Sequence, residues 1–191
     1  MCYIAFVMKN YLKNAVDHFK TITAHRQLVQ KYCFRVGLYR QGLLHDLSKY
    51  SPSEFIPGVI YYQGTRSPNA QERDEKGYSR AWLHHKGRTR HHYEYWSDHL
   101  NGAEPGAIGP VRMPRRYVAE MFCDRVAASR IYNAGHYNDK LPLDYFLRVK
   151  KRVFMHEKTA KEIEYLLTLN WKKGEDYALD YIRKRYLKGK K

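Results

Sequence analysis

The chain has 191 residues, 43% hydrophobic and 28% charged, the balance of one globular domain with a real core; a disordered chain or a large multidomain one is excluded. No apolar run approaches the roughly 18 residues that a bilayer span needs, so no membrane span is expected. Lys and Arg number 35 against 19 Asp and Glu, and the resulting formal charge of +16 favours anionic partners: nucleotides, nucleic acid or an anionic surface.

The opening MCYIAFVM is apolar, but no basic residue precedes it and no small-residue cleavage site follows, so it reads as a segment that packs rather than a secretory signal. Ile22, His25, Leu28, Val29, Tyr32, Cys33 and Val36 recur at three- and four-residue steps, which predicts an amphipathic helix over 22–36 with His25 on its buried stripe. The short segment GLLHDL follows Gly37. Ser51-Pro52-Ser53-Glu54 predicts a helix from Pro52, with Ser51 as cap and Glu54 closing a capping box. Residues 63–80 lack periodicity and read as a long surface connection. From Arg80 to Leu100, Trp82, Tyr93, Tyr95 and Trp96 lie among five histidines, and NGAEPGAIGP reads as a loop.

Pro114 opens a helix in which Tyr117, Val118, Met121, Phe122, Val126 and Ala127 keep helical spacing as far as Gly135. Beyond Pro142, two or three amphipathic helices lead to RKRYLKGKK, read as a solvated basic tail. No period-two pattern persists, so the expected fold is all-α, with a helical domain over 1–140 and a C-terminal helical extension over 141–191 packed on it. Cys2, Cys33 and Cys123 are an odd set without paired zinc-type spacing, which argues against a disulfide framework; the expected compartment is the cytoplasm.

Five histidines, His84, His85, His91, His92 and His99, fall within sixteen residues. Imidazole and carboxylate are the donors of catalytic divalent ions, and several helices must contribute because one cannot surround an ion. Candidates come from four segments: His25, His45-Asp46, the histidines of 84–92, and Asp124. Between leucines, His45-Asp46 is expected to be buried, where an ionised carboxylate costs several kcal/mol unless it is paired or metal-bound. Asp124 in MFCDRVAA repeats the anomaly, and Arg125 beside it points about 100° away, a poor partner. If the 84–92 segment stayed helical, His85 and His92 would share a face, as would His84 and His91. Glu94 is a candidate carboxylate for orienting a ligand imidazole, and Trp82 and Trp96 for packing behind the histidines.

The order His, His-Asp, histidines, Asp on helices resembles the HD superfamily of metal-dependent phosphohydrolases over roughly residues 20–135. HDLSKY is similar to the HD-x-G-K element of that superfamily's cyclic-dinucleotide phosphodiesterases, with Ser48 where the pattern has Gly and Lys49 at the phosphate-facing position. More closely, GLLHDLSKYSPSEF, AWLHHKGRTRHHYEYW and LPLDYF together resemble a bacterial and phage domain family of unknown function. The superfamily likeness implies an HD-like helical bundle holding one or two divalent ions (Mn, Mg, Fe, Co or Ni). By that likeness His25, His45, Asp46 and Asp124 hold one ion. Asp46 is shared with a second, whose histidines are His85 and His92 first, His91 next, and His84 as an alternate or a substrate contact.

The implied activity is hydrolysis of a nucleotide or other phosphate ester, a phosphohydrolase or phosphodiesterase reaction. Asp46 and Lys49 would be its catalytic residues, Lys49 and Arg88 would bind substrate, and Arg90, Arg115 and Arg116 are further cations without an assigned place. Two alternatives stay open: an HD-type di-iron oxygenase built on the same donors, and a basic nucleic-acid-binding protein whose metal site is not catalytic.

Overall fold

The apolar stripe over 22–36 is the C-terminal half of a longer helix, α1 (Cys2–Val36). A computed structural model describes residues 2–102, 104 and 106–189, with side chains from residue 10 onward, so the expected packing of MCYIAFVM lies outside the described side chains. The remaining helices are α2 (Tyr39–Leu44), α3 (Pro52–Ile60), α4 (Pro68–Lys76), α5 (Arg80–Lys86), α6 (Arg115–Tyr132), α7 (Leu141–Val149), α8 (Glu157–Lys173) and α9 (Glu175–Tyr181). The fold is all-α. Its one sheet among the described residues is a hairpin of β1 (Ser97–His99) and β2 (Ile108–Pro110), antiparallel with Asp98 opposite Gly109. These strands fall where the sequence shows no period-two pattern. At Gly109 a Cβ would lie 2.2 Å from the half-exposed Leu100 side chain, so a larger residue there would have to displace that leucine.

The core forms where α1 crosses α6. Val29, Cys33 and Val36 of α1 meet Val118, Phe122, Cys123 and Val126 of α6, and Phe146, Ile163, Leu166, Leu167 and Leu179 from α7, α8 and α9 join the same cluster. Phe122 is fully buried, and truncating a side chain of that kind to Ala costs about 3–5 kcal/mol. The second half of α1 and the middle of α6 are thereby fixed, and these segments carry His25 and Asp124. Among the described residues, no helix is long and apolar enough to cross a membrane.

Two segments depart from the sequence reading. Residues 63–80 contain α4, which has no apolar stripe; Pro68 starts it, Gly77 ends it at φ 78° with its N–H on the Arg73 carbonyl, and its buried Glu72 accepts the Ser79 hydroxyl at 2.6 Å. RKRYLKGKK is not wholly a solvated tail either. A π-helical turn (Ile182–Tyr186) buries Ile182 and Tyr186 in the core, and the Tyr186 hydroxyl donates to Glu162.

Candidate metal centre

At His45-Asp46 the chain stops being helical. His45 is extended (φ −53°, ψ 125°), Asp46 is left-handed (φ 52°, ψ 25°), and a 3-10 turn (Leu47–Tyr50) follows. Asp46 is the one non-glycine with positive φ among the described residues. Neighbours on a continuous helix point about 100° apart, whereas this break turns both side chains inward, each 2% exposed. The surrounding leucines face the other way: Leu43, Leu44 and Leu47 are exposed while the polar pair is buried. Gly42 explains how α2 sits, because a Cβ there would lie 2.9 Å from the Cys33 Cβ on α1. The close seating puts the pair, not the leucines, against the bundle.

The inward turn gathers two groups of donors around one carboxylate. His25, His45, Asp46 and Asp124 each offer a ligand atom within 4.8 Å of the others, and so do Asp46, His85, His91 and His92. In the first group, His25 Nε2 is 3.0 Å from Asp124 Oδ1 and His45 Nε2 is 3.4 Å from Asp46 Oδ2. The second group uses the other oxygen, with His85 Nε2 at 3.3 Å and His91 Nε2 at 3.4 Å from Asp46 Oδ1. His92 Nε2 stands 3.0 Å from His85 Nε2. Both buried groups could hold a metal ion.

His85 and His92 do not meet through a shared helical face. Helix α5 ends at Lys86, and the chain turns back through Thr89, whose hydroxyl donates to the His85 carbonyl at 2.7 Å; the turn delivers His91 and His92 together. His84 stands apart from both groups, a quarter exposed, with Nδ1 2.7 Å from Glu54 Oε1.

The donor chemistry fits a cation. Buried His25 Nε2, His45 Nε2, His91 Nε2 and both oxygens of Asp46 receive or make no well-angled hydrogen bond, and each such group costs on the order of 1–3 kcal/mol without a partner. Lys49 Nζ reaches within 2.6 Å of Asp46 Oδ2, an ion pair whose angles fall short of a hydrogen bond. All these atoms converge on the space a divalent ion would neutralise.

Two outer glutamates aim the imidazoles. Glu120 Oε1 lies 3.1 Å from His45 Nδ1 and 3.2 Å from His91 Nδ1, and its Oε2 accepts from Gln41 at 2.8 Å. Glu54 Oε2 lies 2.8 Å from His85 Nδ1. With Nδ1 engaged, each ring presents Nε2 to the centre. This role belongs to Glu54 and Glu120, not to Glu94, which makes no hydrogen bond to a histidine. Glu54 also leaves the capping box unformed: Ser51 caps α3 through its backbone and Glu54 turns inward. Trp82 packs edge-on against His92 at 4.6 Å, whereas Trp96 rests on Tyr95 and Tyr117.

Electrostatics express the same crowding. Burial would push the Asp46 and Asp124 carboxyls up, but the close approach of the surrounding histidines, joined at Asp46 by the charge of Lys49, holds both well below the usual carboxylate range. His45, pulled down by burial, is lifted to about 10 by Asp46, Asp124 and Glu120. Glu120, against its own burial, is held at about 2 by His45 and His91. Burial pulls the Lys49 ammonium down, and Asp46 and Asp124 more than offset it, so Lys49 stays charged. Burial with His91 and His85 nearby drives His92 well below 6.5, leaving a neutral imidazole ready to donate a lone pair.

A cavity of about 900 Å³ opens onto these groups, lined by His25, Lys49, His85, His92 and Asp124 among others. Arg88 is exposed outside that lining, its guanidinium on the His84 carbonyl at 3.1 Å. Arg90 and Arg115 bond Tyr117 and the C-terminal backbone, and neither these two nor Arg116 lines the cavity.

A family model described as "Family of unknown function (DUF5662)" matches residues 14–169, a span that includes every donor named above. The chain belongs to this family. No curated protein and no solved structure matches it. The family is one of unknown function, so the match assigns neither an activity nor membership of the HD superfamily.

Proposed function

We propose that the protein is a metal-dependent phosphohydrolase that cleaves a phosphate ester at the centre built on Asp46. The observation that carries this reading is the shared carboxylate: Asp46 presents one oxygen to each donor group while a charged lysine stands 2.6 Å away, beside a cavity large enough for a nucleotide-sized ester. Divalent ions bound there would supply a water of lowered pKa and positive charge for phosphoryl oxygens.

The chain's own residues do the rest. Asp46 and Asp124 remain ionised, and the Nε2 atoms of His25, His45, His85, His91 and His92 are held toward the centre. Lys49 Nζ keeps its proton and offers a fixed cation to a non-bridging phosphoryl oxygen, while the electron pair of the breaking P–O ester bond goes to the leaving oxygen. Glu54 and Glu120 prevent the imidazoles from rotating away, and Trp82 walls one side against water. With His25 and Asp124 on packed helices and the turn-borne groups pinned by ion pairs and hydrogen bonds, little reorganisation accompanies reaction.

The test is a phosphoester panel assayed with Mn, Mg, Co, Ni and Fe on the wild type and on Asp46→Ala and Asp46→Asn; Asn tolerates the left-handed backbone, so the second variant separates chemistry from folding. Turnover in the wild type and a loss of a hundredfold or more in both variants, with unchanged circular dichroism, is expected. Undiminished turnover in Asp46→Asn overturns the mechanism. Activity that appears with iron only and requires dioxygen would instead favour an oxygenase on the same donors.

A further inference from the structure

The cavity holds more cationic charge than a single reacting phosphate needs. Besides Lys49 it is lined by Arg66, Arg73, Arg125 and Arg148, against the carboxylates Asp124 and Glu94, and Asp124 is already engaged by His25. Among the described residues only Arg66 of these four arginines pairs with a carboxylate, Asp74, at 2.6 Å. Buried Nε atoms of Arg66 and Arg125 have no hydrogen-bond partner.

Arg125 follows Asp124 on α6 but leaves the helix on a different side. Its guanidinium carbon lies 5.5 Å from the Phe146 ring centre on α7, and that of Arg148 lies 5.8 Å from the Tyr145 ring centre on the same helix. Each of these two guanidiniums is therefore placed beside an aromatic ring of α7. Arg66 and Arg73 come from the segment leading into α4 and from α4 itself. Arg125 is half-buried with its Nε unpartnered, and a desolvated guanidinium donor without an acceptor is costly, while Arg73 and Arg148 stand exposed with no carboxylate partner among the described residues; cations so gathered in one cavity are matched by an anion with many acceptor oxygens. A carboxylate has two oxygens; a phosphate has three, with greater charge.

We propose that the cavity selects phosphoesters bearing a second phosphate, which binds Arg125 and Arg148 on the α7 wall, assisted by Arg66 and Arg73, while the first phosphate lies at the Asp46 centre. This deepens the phosphohydrolase reading and rests on it for the place of the first phosphate. Trp82, Tyr93 and Tyr132 line the same cavity and give the body of such a substrate an aromatic surface.

The proposal is tested by calorimetric titration of the full chain, as purified and after EDTA treatment, with two matched pairs: a sugar monophosphate and bisphosphate, and a nucleoside monophosphate and bisphosphate. The bisphosphate of at least one pair should bind tenfold or more tightly than its monophosphate. Arg125→Gln/Arg148→Gln should erase that gap and leave the monophosphate within about threefold, and Arg148→Gln alone, at an exposed position, should narrow it if the double variant is unstable. Equal affinities within both pairs overturn the proposal, as does a gap that survives in both variants, or an oligonucleotide being the one anion whose binding depends on these arginines. Because EDTA-treated protein is read by binding, absence of turnover with every metal would sink the hydrolase reading without moving this result. Turnover with no bisphosphate preference would sink this inference alone.

Discussion

The two halves of the centre are built from different material. His25 and Asp124 stand on α1 and α6, helices of 35 and 18 residues that cross within the core, whereas His85, His91 and His92 hang on a seven-residue helix and the turn after it. Long packed helices fix a donor through many buried contacts; a short helix and a turn fix it through a few hydrogen bonds, here those of Glu54, Glu120 and Thr89. The difference teaches that one half is held by the fold and the other by local polar contacts, with Asp46 belonging to both.

Substitutions can break that comparison in order of size. Asp46→Asn should bring bound metal per chain close to zero by elemental analysis, because the shared two-oxygen anion becomes a neutral amide with one oxygen, while His92→Ala should remove metal from its own half only; equal losses in the two variants would refute the division. Next, Glu120→Gln should weaken metal binding in both halves by about 10–100-fold, since it aims one imidazole in each, and Glu54→Gln should do so in the α5 half alone. Titration with Mn(II), followed by electron paramagnetic resonance, separates the two patterns.

An effect of a different kind, on folding, lies in acid. Glu120 has an ordinary carboxyl value of 4.5 when unfolded and about 2 when folded, so its contribution, on the order of 3 kcal/mol, is fully present above pH 4.5 and is lost as pH falls toward 2. Denaturant unfolding of the metal-free protein across that window should show the slope in the wild type and a flatter one in Glu120→Gln. The smallest effect belongs to Arg88→Ala. Its exposed guanidinium sits outside the cavity, and less than a twofold change in KM is expected.

The same contrast decides what the sequence discloses. His25 and Asp124 lie on long periodic helices, where a polar residue on an apolar stripe is visible as an anomaly. The choice among His84, His85, His91 and His92 depends on where α5 stops and how Thr89 turns the chain, and no helical projection contains that information. Glu120 had a readable signal, standing four residues before Asp124 and so on the same face of α6. Glu54 was masked by the capping pattern around Ser51, since a capping box and an inward-facing carboxylate look alike in sequence. Helix α4 stayed hidden because a mostly polar helix has no stripe, and its ends, Pro68 and Gly77, are also the marks of a loop.

The backward twist at position 46 also restricts which amino acids could ever serve there. Side chains that accept such a twist at modest cost are chiefly glycine, asparagine and aspartate, and of these only aspartate brings a negative charge. A glutamate would keep the charge but fit the twist poorly, and its longer arm would overshoot two sets of donors spaced for a short one. Anyone transplanting this centre into another scaffold would have to copy the main-chain bend before choosing a single ligand.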